Sequence, residues 1–157
     1  MDVLDLKTPE ELLDYMSDFE YQEFETLQNP LWTDVAKEGS CHDQAYFELD
    51  ILHCMHVHAN AAFLMAVDDA GHGGETHTFV YYNDDSLFFW FENSWDDYKG
   101  IHPYISEQDL FKDVIWKFKD RNPDMTVYLG EFIPGNHAIG EDLSTFVDIC
   151  MENAVQV

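Results

Sequence analysis

The spacing of hydrophobic positions along the chain predicts short helices before and after a group of strands. A first helix should begin after Thr8, because Thr8 can cap it, Pro9 fits a first helical turn and Glu11 completes a capping box. Its apolar face consists of positions that recur at helical spacing, namely Leu12, Leu13, Met16 and Phe19. These features predict an N-terminal helix over residues 8–19.

A second helix is predicted from Cys41 to about His56, directly after the Gly39-Ser40 pair. Its apolar positions again recur at helical spacing: Ala45, Leu49 and Leu52. Cys41 lies one turn before this stripe and on the same side. The thiol is therefore expected at the start of a helix that packs into the core.

Four later runs have the short, aromatic and β-branched character of strands, namely Ala61–Val67, Thr76–Tyr82, Leu87–Glu92 and Thr126–Phe132. Residues 83–85, Asn-Asp-Asp, predict a tight turn between the second and third runs, which would make these two an antiparallel hairpin. Ser106 can cap a helix that separates the third run from the fourth, and a last helix is predicted at about 141–154.

This order of elements predicts an α+β fold in one domain that spans residues 1–157. Its core would cover about 31–133, with the N-terminal helix 8–19 and a C-terminal helix at 141–155 as additions. Hydrophobic residues make up 46% of the chain and aromatic residues 15%, so it should fold despite its charge.

The charge narrows the set of partners. The chain has 32 acidic and 7 basic residues, a formal net charge of −25, which repels nucleic acid and anionic membrane surfaces. We therefore expect no direct nucleic-acid binding and no membrane binding. A basic protein partner, a high-salt cytoplasm, or imitation of DNA to block a nucleic-acid-binding protein would each suit this surface.

The three cysteines, Cys41, Cys54 and Cys150, are too few and odd in number for a disulfide framework, which favours a reducing compartment. The acidic N-terminus lacks the apolar segment of a signal peptide, and no apolar run is long enough to span a membrane. A cytoplasmic protein is expected. Histidines at 53, 56 and 58 lack a recognisable zinc-ligand spacing, so no metal and no cofactor is predicted.

The position of Cys41 suits a reactive thiol. A thiol attacks as its thiolate, and both a helix N-terminus and a neighbouring imidazolium favour ionisation. The Gly39-Ser40-Cys41 segment places the sulfur where unpaired backbone N–H groups would stabilise a thiolate and then an oxyanion. Gly39 is expected to allow a substrate chain to approach closely.

A histidine and its orienting partner are predicted on the hairpin. His77 begins the strand that precedes the turn, and a turn at 83–85 would return Glu92 and Asn93 to the level of Thr76 and His77. Either the carboxylate of Glu92 or the amide of Asn93 could then hold the imidazole in the required tautomer. The residues therefore predict a Cys, His and Glu-or-Asn set.

Over Gly39–Tyr104 the sequence resembles the transglutaminase-like and papain-like superfamily, and most closely a group of little-characterised bacterial and phage transglutaminase-like proteins. Four motifs occur in that family's order: Gly39-Ser40-Cys41-His42-Asp43-Gln44, Thr76-His77-Thr78-Phe79, Trp90-Phe91-Glu92-Asn93-Ser94-Trp95 and Gly100-Ile101-His102. His42 is a departure, because the family pattern has Trp there. Asn93-Ser94-Trp95 is also similar to the papain-type Asn-Ser-Trp.

The resemblance implies a catalytic fold and leaves the substrate open. The chemistry predicted is thiol-dependent acyl transfer or hydrolysis of an amide or ester, with a protein or peptide as the expected substrate. The alternative is a catalytically inactive acidic binding protein, for example a DNA mimic, which would act through its charge and would not need Cys41.

Overall fold

The computed structural model describes residues 2–157. In this part of the chain the α-helices are α1 (Pro9–Tyr15), α2 (Pro30–Ala36), α3 (Cys41–Cys54), α4 (Glu107–Arg121) and α5 (Leu143–Met151). Side chains of the residue before each helix cap the first turn: Thr8, Asn29, Ser40, Ser106 and Asp142. The starts of the helices therefore follow from local hydrogen bonding.

Two sheets form. The short strands β1 (Glu20–Tyr21) and β2 (Glu38–Gly39) pair in parallel. The main sheet contains β3 (His58–Val67), β4 (Gly73–Asn83), β5 (Phe88–Glu92), β6 (Gly100–Tyr104), β7 (Thr126–Phe132) and β8 (Val155–Gln156). Its spatial order is β6-β5-β4-β3-β7-β8, and every neighbouring pair is antiparallel. The predicted α+β class with an antiparallel sheet is confirmed.

Side chains that alternate along the strands form a separate core on each face of the main sheet. One face packs against α1, α3 and α5, with strand residues Phe63, Val80, Phe91 and Phe132 at its centre. The other face packs against α4, with Leu64, Phe79, Trp90 and Val127 at its centre. α3 is buried on most sides, since ten of its fourteen residues are buried, as expected for a helix at the centre of a layer.

Several bounds differ from the sequence prediction. α1 ends at Tyr15 and continues only as a 3₁₀ turn over Met16–Asp18. Residues 20–40, which have no regular hydrophobic pattern, contain α2 and the β1–β2 pair. The edge strand β6 was not predicted; it includes Pro103, which lacks a backbone N–H and is tolerated mainly at sheet edges.

The hairpin between β4 and β5 also has a different register from the predicted one. Its loop is longer than expected, because Asn83 pairs with Phe88. The carboxylate of Asp84 accepts hydrogen bonds from the backbone N–H groups of Ser86 and Leu87, both at 2.8 Å, and Leu87 O accepts from Asp84 N at 3.1 Å. These bonds close a loop over 84–87 and set where the two strands pair.

This register decides which side chains share a face. Continued by one residue, it places Glu92 opposite Phe79. Phe79 and His77 are two positions apart on β4 and therefore lie on the same face of the strand. Glu92 consequently lies on the face that carries His77, and Asn93 lies on the opposite face.

No helix in residues 2–157 combines the length and the apolar character needed to cross a lipid bilayer.

The packing of α5 on β7 generates a stability test at Gly130. A Cβ atom at this position would lie 2.2 Å from the backbone oxygen of Cys150, so Gly130→Ala must push the helix away. We expect the free energy of unfolding to fall by about 1–3 kcal/mol, as overpacked sites do, measured by urea denaturation.

Gly135→Ala is the matched control, since a Cβ atom there meets nothing within 4 Å. It should leave the stability unchanged or slightly raised. Equal stability of the two variants would contradict the close packing of α5 on β7.

Candidate active site

A capping box fixes the start of α3. Ser40 Oγ accepts from Asp43 N at 3.3 Å, and Asp43 Oδ2 accepts from Ser40 N at 3.1 Å. Asp43 Oδ1 also accepts from Gln28 N at 2.8 Å, which ties this turn to the preceding loop. A Cβ atom on Gly39 would lie 2.8 Å from Asp43 Cβ. The lack of a side chain at Gly39 therefore makes room for Asp43, and the approach of a substrate chain at Gly39 stays a prediction.

Cys41 is the first residue of α3 and is 3% exposed. Its Sγ atom lies 3.6 Å from His42 Nδ1 and 3.9 Å from His42 Nε2. Within residues 2–157 the backbone N–H groups of Cys41 and His42 make no hydrogen bond, as expected in the first turn of a helix. The sulfur therefore lies where the helix dipole and free donors favour negative charge.

His77 and Glu92 form a buried pair across the β4–β5 hairpin. His77 Nε2 lies 2.7 Å from Glu92 Oε1. The other carboxylate oxygen accepts from Ser94 N and Trp95 N, both at 3.1 Å, and from Ser94 Oγ at 3.2 Å. The Trp95 ring meets the His77 ring edge-on at 5.1 Å. The ring of His77 is thus held by a carboxylate that is itself fixed.

Asn93 does not contact His77. Its Nδ2 group donates to Gln44 Oε1 at 2.9 Å and to Met16 O at 3.3 Å, while Gln44 Nε2 donates to Gly39 O at 3.0 Å. The option that Asn93 orients His77 is therefore wrong. Successive side chains of a strand point to opposite faces, so the Asn93 side chain lies on the face opposite to Glu92, where it joins the end of β5 to α3.

Electrostatics make the thiol acidic. Burial by itself raises the pKa of Cys41, but the charge and hydrogen bonding of His42, followed by those of His77, outweigh it and lower the pKa to about 5. Burial lowers the pKa of His77, yet the charge of Glu92 and hydrogen bonds with Cys41 and Glu92 raise it to about 10. The geometry favours a thiolate beside an imidazolium at neutral pH.

The thiol and His77 share a cavity of about 780 Å³. It lies where β4 extends beyond its partner, because β5 pairs only with Val80–Asn83. Aromatic and aliphatic side chains line part of it, and the charged groups on its wall are mainly acidic: Glu23, Glu75, Asp96, Asp97 and Arg121. Arg121 Nε lies 2.7 Å from Glu75 Oε1, which leaves three carboxylates without this cation.

Two residues near the thiol have no role in the sequence prediction. His42 appears there only as a departure from the family pattern. Glu48 lies two turns after Cys41 on α3 and is 4% exposed, and burial, with the charge of Glu92 added, raises its pKa well above the ordinary value. An acidic residue within the apolar stripe of a core helix was the available signal for Glu48.

No group of three or more His, Cys, Asp or Glu side chains within residues 2–157 is arranged to hold a metal ion. His53 Nε2 instead donates to the carbonyl oxygen of Ala59 at 2.9 Å. His56 has a φ of 62°, a left-handed conformation that turns the chain between the end of α3 and the start of β3 at His58. The three histidines of this run therefore belong to different elements.

The structure also contains a second set of the same residue types. Cys150 Sγ lies 3.9 Å from His137 Nε2, and His137 Nδ1 lies 2.6 Å from Glu141 Oε1. Burial, with the charge of Glu141 added, raises the pKa of Cys150 to about 12. This thiol lies near the C-terminal end of α5, where the helix dipole disfavours a thiolate. It is not in the wall of the cavity.

Fold and site together define an α+β protein with a thiol, an imidazole and a carboxylate around one cavity. No family model matches the chain, and no curated protein matches its sequence. Two solved structures of Legionella pneumophila LapG are similar to it, each at 12% identity and a TM-score of 0.45. The first match covers 93% of this chain and 74% of that chain. The second, of EGTA-treated protein, covers 94% and 77%. These matches are too distant to assign a family or an activity.

The different environments of the cysteines predict different reactivity. With a pKa of about 5, Cys41 should be mainly thiolate at pH 6, so iodoacetamide should modify it there at nearly its maximal rate. Exposed Cys54 lies at the C-terminal end of α3 and should react more slowly at pH 6, because a helix C-terminus does not favour a thiolate. Cys150 should not react in the folded protein. Peptide mass spectrometry locates the modified residue.

Denatured protein is the control, because all three thiols should then react alike. Equal reaction of the three cysteines in the folded state at pH 6 would contradict a special environment for Cys41.

Proposed function

We propose that this protein is a thiol-dependent acyl-transfer or hydrolytic enzyme with a transglutaminase-like or papain-like core. Cys41 is the nucleophile, His77 carries the proton and Glu92 orients His77. The observation that supports this most directly is the buried 2.7 Å contact between His77 Nε2 and Glu92 Oε1 beside a thiol at a helix N-terminus. Together these residues supply a nucleophile, a base and an orienting group.

In the first half-reaction the Cys41 thiolate attacks the carbonyl carbon of an amide or ester. A carbon–sulfur bond forms, and the carbonyl electrons move to oxygen. The free backbone N–H groups of Cys41 and His42, at the start of α3, are the donors that can stabilise this oxyanion. The bond to the leaving group then breaks as protonated His77 gives it a proton, which leaves a thioester on Cys41.

In the second half-reaction an acceptor attacks the thioester. Neutral His77 takes a proton from the acceptor, a bond forms to the acyl carbon, and the Cys41 thiolate leaves. Water as the acceptor gives hydrolysis, whereas an amine gives a new amide. Glu92 keeps the imidazole in position through both steps and stabilises its charged form.

We propose that the substrate is a protein or peptide with basic side chains near the reacting carbonyl. Among the carboxylates of the cavity wall, Glu75 is paired with Arg121 and Asp96 Oδ1 lies 3.9 Å from Lys99 Nζ, whereas Glu23 and Asp97 have no ion-pair partner within residues 2–157. The chain as a whole has a net charge of −25. Such a field attracts cationic chains and repels anionic ones. The three cysteines are free thiols, which suits action in the cytoplasm.

The acidic surface remains the observation behind the alternative, a binding protein that imitates DNA. Two pairs of acids could serve as phosphate-like groups, Asp84-Asp85 and Asp96-Asp97, but they lie at opposite ends of β5. Five strand residues separate the ends, roughly 17 Å at the rise of a strand. Asp84 is also used to close its own loop. Loss of function in Cys41→Ala separates the two proposals, since a mimic does not need the thiol.

Covalent acylation provides a test that does not require the natural substrate. p-Nitrophenyl acetate should acylate Cys41, seen as one added acetyl group by intact-protein mass spectrometry, with steady release of nitrophenol. Cys41→Ala should abolish both signals, and Glu92→Gln should slow turnover roughly 10²- to 10⁴-fold, as loss of general acid–base catalysis does.

Cys54→Ala is the matched control, because it removes an exposed thiol and should leave turnover unchanged. A folded Cys41→Ala variant with full esterase activity, or one that retains the biological effect of the protein, would refute the enzyme proposal.

The acidic wall generates a second test. For fluorogenic peptides, kcat/KM should be higher with Arg or Lys beside the reacting bond than with Glu. Asp96→Asn combined with Asp97→Asn should reduce this preference about three- to tenfold, as exposed charge pairs contribute up to about 1 kcal/mol each. The effect should fade between about 10 mM and 1 M salt, where the Debye length falls from about 30 to 3 Å.

Asp85→Asn is the control for total charge, because Asp85 lies in the β4–β5 loop, away from the cavity wall. The same loss in both variants would show that net charge, rather than the wall, selects the substrate.

A further inference from the structure

His42 contacts the thiol and lies on the face of β4 opposite to that of His77. Its ring follows Cys41 in the sequence and contacts Sγ at 3.6 and 3.9 Å. In β4, Thr76 and Thr78 lie on one face of the strand and His77 on the other. His42 contacts the two threonines. The imidazoles of His42 and His77 therefore lie on opposite faces of β4.

The ring of His42 is held firmly. Its Nδ1 atom lies 2.7 Å from Thr78 Oγ1, and Nε2 lies 3.5 Å from Thr76 Oγ1. The ring also packs on Phe146 of α5, with centroids 4.4 Å apart, and the residue is 5% exposed. A side chain that only filled space would not require two hydroxyl partners, whereas a charged or hydrogen-bonding ring does.

We infer that His42 acts directly on the Cys41 thiol as a second imidazole, keeping it ionised, while His77, tied to Glu92, transfers the proton. The inference rests on the proposed function of Cys41. His77 and Glu92 are already paired with each other, so the thiolate needs a partner of its own in this buried site, where an unpaired charge is costly. The His42 ring, which contacts Sγ, is that partner.

Other ionisable groups near the thiol do not replace His42 in this role. Tyr21 and Glu48 lie near the thiol on β1 and α3, and burial raises the pKa of both, which favours their neutral forms. From β3 and α5 the contacts of the His42 ring are phenyl groups, Phe63 and Phe146. Glu75 of β4 is paired with Arg121.

Two other acidic side chains near the start of α3, Asp43 and Glu23, do not contact the thiol. Asp43 accepts from Ser40 and Gln28 within the capping turn, and Glu23 lies in the cavity wall. The groups that lower the pKa of the thiol are therefore the imidazoles of His42 and His77. Of these, His42 has the larger effect on the thiol pKa.

The test is the pH profile of Cys41 alkylation by iodoacetamide, which requires no substrate. In His42→Phe, which keeps an aromatic ring on Phe146, the rate at pH 6 should fall about tenfold, the change produced when the thiol pKa rises from about 5 to about 7. At pH about 9.5, where an ordinary thiol is ionised, it should stay within about threefold of the unsubstituted protein. His77→Gln should reduce the pH 6 rate less than His42→Phe does, yet abolish ester turnover.

His42→Gln and His137→Gln form a matched pair of controls. Both remove an imidazole that packs on Phe146, at 4.4 and 4.7 Å, but only the first removes a contact with Cys41. The first should shift the profile as His42→Phe does, and the second should leave it unchanged. If His42→Phe does not fold by circular dichroism, Thr78→Val replaces it. This variant removes the hydroxyl that holds Nδ1 and should lower the pH 6 rate about two- to fivefold, the change produced when a thiol pKa of about 5 rises to between about 6 and 6.6.

An unchanged profile in folded His42→Phe, or in Thr78→Val when the former is unfolded, would overturn the inference. Failure of the proposed function would give a different result. Cys41 of the unsubstituted protein would then itself titrate as an ordinary thiol, or would fail to become acylated.

Discussion

The hydrogen bond between His77 and Glu92 is the interaction on which the arrangement of the site depends, and the register of one hairpin creates it. In an antiparallel pair, opposed side chains share a face, and diagonal neighbours on that face remain within reach. Glu92 lies opposite Phe79 and therefore reaches diagonally to His77. A shift of one residue would turn Glu92 towards α3 and Asn93 towards the imidazole.

The same strand organises both sides of the thiol. Beyond the end of β5, alternate residues of β4 serve different partners: Thr76 and Thr78 hold the His42 ring, and His77 points to Glu92. The N-terminal end of α3 brings Cys41 to this edge. Because β4 continues past its neighbour, the site combines the rigidity of a sheet with an open cavity, which a fully paired strand would not provide.

The two buried cysteines show that residue types alone do not make a thiol reactive. Cys41 contacts His42, and the His77–Glu92 pair lies in the same site. Cys150 lies near His137, which is paired with Glu141. Cys41 has a helix N-terminus, two imidazoles and a cavity, and its pKa is lowered. Cys150 lies near a helix C-terminus among aromatic rings, and its pKa is raised. The direction of the helix and the number of cationic groups decide the outcome.

The sequence by itself determined the features that depend on neighbouring residues. Capping by Thr8, Ser40 and Ser106, the position of Cys41 at a helix start, and the antiparallel pairing of the strands that carry His77 and Glu92 could all be predicted, since caps and turns are local. Only the tertiary structure decided between Glu92 and Asn93, because the register of the β4–β5 pairing determines which of two adjacent side chains shares a face with His77. It also brought His42 against Thr78, 36 positions away, and placed Asp43 in the space that Gly39 leaves open. Such contacts depend on how a helix packs on a strand distant in sequence, which local patterns do not encode.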